Sequence, residues 1–457
     1  MLLLSMVHFL LKLFFSDLHD WNLPLKSVLR SFSFFSFLHP LVALLLCILL
    51  AGCTLSPLPG RGRLTVREAK EKVALGKFAY RQVIQKNGGL YQNDELATYV
   101  SRVGERLVSQ GRRFKLKYRF AVINDSVPNA FALSGGYIAL TRGLLVNLSN
   151  EAELAALLAH QIGHLAAGWQ VPAETLRRFN DSVADDPLAS SAAAVTAELI
   201  SRRYSPEQEL EADRFAIASL QKAGYDPSGA LQVQELFHHM FEQDTDHRWR
   251  EGLFRSHPFS AERLAENRRY IGGQSGKQSG EQSPPPGAEE QAALEFTQAF
   301  QSLRQTQQGY ATFDQARLME HEGQLAEAIA LYHQALLESS EEPLIMSSLG
   351  LAYLRNEDLI PARRYLIKAV NRQGDYYQSR LALGYVYQQK EQYTDALQQL
   401  EAGFKLLPTP EGGYMLAEVR EQRGDKEGAR KLYAAVAEAE GAGKLGPEAA
   451  ERLRMLE

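Results

Sequence analysis

His160 and His164 stand four residues apart in "LLAHQIGHLAAGW", residues 157–169. On a helix of 3.6 residues per turn both imidazoles project from one face, a spacing suited to holding one metal ion through ring nitrogens. Gln161 lies between them and presents an amide, which can donate and accept hydrogen bonds but takes up no proton near neutral pH. A second set of donors follows in "SPEQELEADRF". Glu209 and Asp213 are one turn apart, so both carboxylates can address one point. Glu207 and Glu211 flank them, and spacing alone does not choose among the three glutamates. Taken in isolation, such an acidic run is more often a solvated helix face than a site.

The elements that must position these groups are legible. Asn150 with Glu153 three residues on reads as an N-cap, and the Ala- and Leu-rich stretch after it predicts the helix that carries both histidines. Upstream, "TVREAKEKVALGKFAYRQVIQ" opening on Thr65 and "NDELATYVSRVGERLVSQG" opening on Asn93 predict two helices. "KLKYRFAVIND" and "GGYIALTRGLL" predict two strands, the second running into the histidine helix, and Gly135-Gly136 marks a tight turn or a close approach of chains. "ETLRRFNDSVADDPLASSAAAVTAELISRR" predicts a helix, a loop and an Ala-rich helix, with "DSVADDP" a plain connector rather than a lid. His257 precedes the helix "SAERLAENRRYI" and on spacing alone suits a loop cap as readily as a functional group.

Four motifs occur together: His160/His164, Glu209 to Asp213 within "ELEADR", "NAFALSGGYI" from Asn129 to Ile138, and "SHPFSAER" from Ser256 to Arg263. With them the chain from about Thr65 to Ile271 resembles the BepA-like and HtpX-like zinc metalloendopeptidases, a gluzincin family. The resemblance implies an α+β gluzincin-type metallopeptidase domain, helices around a small sheet, holding one zinc ion on His160, His164 and Glu209. It implies Asp213 and Arg263 as residues that orient those ligands. It places Gln161 at the position of the catalytic general base and His257 beside the open zinc position as a regulator. It also implies that Asn129, Phe131, Gly135, Gly136 and Tyr137 belong to an edge strand that aligns extended substrate by main-chain hydrogen bonds. A hydrolytic zinc needs three protein ligands and an open fourth position. Loss of general-base assistance costs on the order of 10²–10⁴ in rate, so proteolysis is in doubt unless Glu207, Glu211 or His257 substitutes.

Composition bounds the rest. A chain of 457 residues, 45% hydrophobic and 23% charged, is long enough for two or three domains, and a net charge of -4 leaves no basic footprint for nucleic acid. The two cysteines, Cys47 and Cys53, fall in the apolar segment "HPLVALLLCILLAGC". Its apolar core, 41–50, is too short to span a bilayer comfortably and ends in small residues, so residues 1–52 read as a leader. Leu50-Ala51-Gly52-Cys53 resembles a bacterial lipobox, which implies lipidation at Cys53, a tether over 53–64 and, with Thr54 following, the outer membrane facing the periplasm. The metallopeptidase-like domain then covers 65–271. Residues 272–291, rich in Gly, Ser, Gln and Pro, read as a disordered linker. From 292 to 457 small residues recur: Ala328, Ala362 and Ala396 at intervals of 34, as do Gly350 and Gly384, and Ala335 and Ala369. This resembles tetratricopeptide repeats, an all-α solenoid whose concave surface receives protein partners. The combined expectation is an envelope lipoprotein acting on unfolded or assembling envelope proteins, in quality control or assembly. The alternative is a catalytically inactive, zinc-binding adaptor or chaperone-like protein that binds partners through its repeats.

Overall fold

The computed structural model describes residues 66–109, 117–167, 171–183, 188, 190–243, 248–274, 288–439 and 441–456. The leader, Cys53, the tether and 275–287 of the expected linker lie outside the described residues. No helix among the described residues is long and apolar enough to cross a membrane.

Two helices, α1 (Val66–Lys86) and α2 (Asp94–Ser109), lead into the strands β1 (Arg119–Ile123), β2 (Ala130–Leu133) and β3 (Tyr137–Thr141). The sheet order is β1-β3-β2, with β1 parallel and β2 antiparallel to β3. The sequence reading resolved two of these strands. The third, β2, has only four residues, too few for an alternation of polar and apolar side chains to register. Gly135 and Gly136 turn β2 into β3 with φ of 80° and 94°, conformations that side chains disfavour. A short α3 (Arg142–Leu145) follows, then the histidine helix α4 (Glu151–Ala166).

The start of α4 is set by a reciprocal cap. Asn150 Oδ1 accepts from Glu153 N at 2.9 Å, while Glu153 Oε2 accepts from Ser149 N at 2.7 Å. Its Leu and Ala side chains are buried on nearly all sides, as a helix apolar all round should be. After the pair α5 (Ala173–Val183) and α6 (Ser190–Ile200) comes α7 (Pro206–Lys222), opened by a Ser205/Gln208 capping box with Pro206 in its first turn. Helices α4 and α7 meet at Gly163, where a Cβ would sit 3.1 Å from the Cα and the carbonyl oxygen of Ala212. That contact brings the two donor sets face to face. Helices α8 (Gly229–Glu242), α9 (Arg248–Glu251), α10 (Leu253–Ser256) and α11 (Ala261–Gln274) complete this half.

Beyond α12 (Ala288–Ala299) and α13 (Gln301–Gln305) the chain is a tetratricopeptide-type array of helix pairs. The pairs are α14 (Gln307–His321) with α15 (Leu325–Glu338), α16 (Pro343–Arg355) with α17 (Leu359–Arg372), α18 (Tyr377–Gln389) with α19 (Tyr393–Leu406), and α20 (Pro410–Gln422) with α21 (Lys426–Glu438). Helix α22 (Leu445–Met455) follows them. The repeating alanines Ala328, Ala362, Ala396 and Ala429 are all fully buried. A Cβ on Gly350 would come within 2.7 Å of Leu366, and one on Gly384 within 2.6 Å of Leu400, the same contact one repeat later. Small residues are thus fixed where paired helices cross most closely.

The two halves share one apolar cluster that runs from α2, α4 and the sheet into α12–α16. Polar ties reinforce it. Gln85 of α1 donates to Asp375 O at 2.7 Å and accepts from Tyr377 N at 2.8 Å, Gln373 donates to Leu90 O at 3.0 Å, and Asn124 donates to Tyr310 Oη at 2.6 Å.

Candidate metal centre

His160 and His164 project from α4 toward Glu209 at the fourth position of α7, and all three converge. The two Nε2 atoms lie 3.1 Å apart, His160 Nε2 lies 3.4 Å from Glu209 Oε2, and His164 Nε2 lies 3.3 Å from Glu209 Oε1. Donors held tetrahedrally at about 2.0–2.1 Å from a zinc ion stand about 3.3 Å apart, so the spacing suits that ion. Among the three glutamates the structure selects one: Glu209 is fully buried, whereas Glu207 and Glu211 are exposed. Glu207 accepts from Ser205 Oγ at 2.7 Å, and neither exposed carboxylate belongs to the cluster.

His257, at the end of α10, is buried and joins the group as a fourth potential ligand. Its Nδ1 donates to Glu209 Oε1 at 2.8 Å, which leaves Nε2 to accept from the Gln161 amide at 3.4 Å. Gln161 itself is buried, and its Oε1 has no hydrogen-bond partner. An acceptor left so in a dry site is costly unless something polar meets it there.

A second layer holds the donors. His160 Nδ1 donates to Asp213 Oδ1 at 2.9 Å, directing its Nε2 lone pair toward the other ligands. Arg263 bridges both carboxylates: Nε and Nη2 donate to Asp213 at 2.6 and 3.1 Å, and Nη1 donates to Glu209 Oε2 at 2.6 Å. Asn267 Nδ2 adds a bond to Asp213 at 2.8 Å. Tyr204 stacks on His164 with centroids 3.7 Å apart and planes 15° apart. The sequence reading did not single out Asn267 or Tyr204. A signal for Tyr204 exists: it immediately precedes the N-cap Ser205, and a residue there sits beside the fourth helical residue, here Glu209.

Charges in the centre follow from burial and partners. Burial works against the charged form of Glu209, yet the surrounding His257, His160 and His164 rings hold its carboxyl well below the usual range. Asp213 is lowered too, burial being outweighed by Arg263 and His160. Burial likewise works against a charged His160, but its bonds to Asp213 and Glu209 carry it up to about 9. His164 is pushed down to about 3, by burial first. Without metal the two buried carboxylates are balanced by Arg263 and the proton on His160, so a cation that takes the His160 Nε2 lone pair replaces that proton in the balance. The donor set and the orphaned Gln161 Oε1 together fit a divalent zinc with a water beside it.

The residues expected to align substrate divide. Tyr137 lies in β3, the central strand, paired on both sides, so it is not an edge residue. Expecting an edge there was wrong because β2, unrecognised, covers that side. Among the described residues β2, which contains Phe131, pairs with β3 alone and leaves its other edge free. Asn129 is turned to the sheet: its carbonyl accepts from Thr141 N at 3.0 Å and its side chain from Ala130 N at 2.9 Å. In this register, Ala132 presents its N–H and C=O away from β3.

Residues 94–271 match Peptidase family M48. Over 170 residues the chain is 33% identical to a Vibrio cholerae protein named as a beta-barrel assembly-enhancing protease, the match covering 34% of this chain and 35% of that one. It is 29% identical over 178 residues to the beta-barrel assembly-enhancing protease of Escherichia coli (strain K12), covering 34% and 35%. Against metalloprotease YcaL of the same strain the values are 27% identity over 187 residues, covering 37% and 70%. The chain thus spans about a third of the length of the first two relatives. A solved structure described as MamA protein overlaps 32% of this chain and 89% of its own at 17% identity and a TM-score of 0.27.

Proposed function

Residues 94–271 form a Peptidase family M48 domain, and from that premise we propose that the chain is a zinc metallopeptidase-family lipoprotein of the bacterial envelope, anchored through Cys53 to the outer membrane and facing the periplasm. It works in protein quality control or assembly, with unfolded or assembling envelope proteins as its substrates and the repeats as its docking surface. The convergence of His160, His164 and Glu209 within 3.1–3.4 Å carries this reading.

These three residues would hold one zinc ion, with Asp213 and Arg263 fixing their orientation. When bound, such an ion supplies a Lewis acid that polarises a peptide carbonyl and acidifies water. The remaining work falls to this chain's own groups. The N–H and C=O of Ala132 at the free edge of β2 align an extended segment. Gln161 Oε1 accepts a hydrogen bond from a water in the site without removing its proton, so hydrolysis is slow. His257 is the one alternative acceptor within the cluster. Burial lowers its pKa despite the bond to Glu209, so the ring is neutral at pH 7; with Nδ1 bonded to Glu209 its accepting nitrogen is Nε2, which faces the Gln161 amide at 3.4 Å.

The same two residues favour a second reading, an inactive zinc-binding adaptor that grips segments without cutting them. Hydrolysis of an unfolded protein substrate, measured with and without chelator, separates the two. Under the first reading, Gln161→Glu raises chelator-sensitive cleavage by a factor on the order of 10² or more at unchanged zinc content. A revertant that stays inactive with zinc bound, and stays so with His257→Ala added, establishes the adaptor.

A further inference from the structure

Leu188 lies between α5 and α6, in the metallopeptidase half, directly after the stretch "DSVADDP" that the sequence reads as a plain connector. It is nevertheless only 2% exposed. What buries it is the far end of the repeat array: Leu188 belongs to the apolar cluster of Leu381 in α18, Leu416 in α20 and Leu432 and Val436 in α21. The seat is shaped for it. Gly413 of α20 has no side chain, and a Cβ there would come within 2.9 Å of Leu188 Cδ2. One leucine thus reaches out of its own domain into a cleft between successive repeats, as an apolar side chain of a bound extended segment would.

The hairpin that carries Leu188 also bounds the free edge of β2. Helices α5 and α6 are locked to each other and to α1 by Leu176, Phe179, Ala192 and Val195 around Leu75, with Arg178 bonded to Glu198 at 3.1 Å. Leu199 of α6 and Val171, just before α5, line a small recess together with Ala132 and Ser134. Ser134 Oγ is buried there without a partner. The element standing beside the strand edge is therefore pinned at its other end by a contact with the repeats.

We propose that the cleft of α18, α20 and α21 is a receptor for one apolar side chain of an extended polypeptide segment, that Leu188 fills it in cis, and that an arriving segment displaces Leu188 and loosens the connector end of the α5–α6 hairpin, which stands beside the edge of β2. The seat suits a γ-branched aliphatic side chain, since the absence of a Cβ at Gly413 leaves room for a leucine. Occupancy of the repeats is thereby coupled to access at the strand where the metallopeptidase half would align substrate. This coupling rests on the edge-strand reading given above, but binding at the repeats does not require zinc or any property of Gln161.

The test uses the full-length protein in detergent and a fluorescent decapeptide of residues 182–191, SVADDPLASS. Because a tethered occupant competes at an effective concentration in the millimolar range, the peptide should bind Leu188→Asp protein at least about 10-fold more tightly than wild type. The same peptide with aspartate at the leucine should bind neither. Adding Gly413→Val to Leu188→Asp should abolish binding by filling the seat. Tryptic cleavage at Arg177, Arg178, Arg202 and Arg203 reports the hairpin independently. It should accelerate in Leu188→Asp, in Gly413→Val alone, which evicts Leu188 without altering the connector, and in wild type saturated with peptide. Equal peptide affinity for wild type and Leu188→Asp, or no binding to a Leu188→Asp protein whose circular dichroism is unchanged, overturns the receptor. Cleavage rates that stay at the wild-type value in both single variants overturn the coupling. Should Leu188→Asp fail to fold, Leu188→Ala and Gly413→Val read the same two outcomes.

Discussion

At the scale of single residues, the centre is a set of buried charges whose balance depends on protons when metal is absent. His160 is raised from its ordinary 6.5 to about 9, through Asp213 and Glu209 against the opposing effect of burial. Its proton stabilises the metal-free fold fully below pH 6.5, and that contribution is lost as pH rises through about 9. Zinc and this proton compete for one ring, so zinc affinity should climb between pH 6.5 and 9 with release of one proton per ion. Calorimetry in buffers of differing ionisation enthalpy measures that release, and a proton count of zero at pH 7 would refute it. His160→Ala should remove stoichiometric zinc, read by metal analysis of the purified protein. The histidine pair and its cap were legible in the sequence because both are local, a four-residue spacing and a three-residue cap. The choice of Glu209 over Glu207 and Glu211 was not, because all three are equally acidic and only packing against α4 decides which is buried.

At the scale of elements, the site depends on how closely α4 and α7 approach. Gly163 permits it, and Gly163→Val would push its new side chain into the backbone of Ala212. Overpacking of this kind costs about 1–3 kcal/mol. The separation it forces should also lower zinc affinity, since Glu209 rides on α7. Thermal unfolding and zinc titration of the variant check both, and unchanged affinity would mean that α7 adjusts by sliding. In the repeats, Gly384→Val meets Leu400 in the same way and should destabilise by a similar amount while leaving zinc binding intact. The repeat period was readable because one residue type returns to one environment every 34 positions. The strand edge was misjudged because β2 is four residues long and its membership in the sheet rests on pairing with β3, which no local pattern encodes.

At the scale of the whole molecule, the two halves are joined through buried polar groups as well as apolar ones. Tyr310 accepts from Asn124 at 2.6 Å and donates to Glu342 at 2.5 Å, while the Arg142 guanidinium lies 3.5 Å over its ring. Tyr310→Phe would strand the buried Asn124 amide and the half-buried Glu342 carboxylate, and a loss of about 1–3 kcal/mol is expected, shifting one cooperative calorimetric transition rather than splitting it in two. Two separate transitions would show that the halves unfold independently. None of this joint was visible in the sequence, since its partners are distant and each residue is unremarkable alone. The bonds between Gln85 and the Asp375–Tyr377 turn span 290 residues or more, and such closures must be made against the entropy of a long loop. Synthesis therefore delivers the histidine helix and its sheet long before the surfaces that finish their core exist. A ribosome-bound or freshly translocated chain ending before α14 would leave Tyr91 and Asn124 without Tyr310, which covers them in the finished fold. That makes the growing chain itself a client for whatever chaperones meet it, and it sets a delay between appearance of the metal ligands and formation of a centre able to use them.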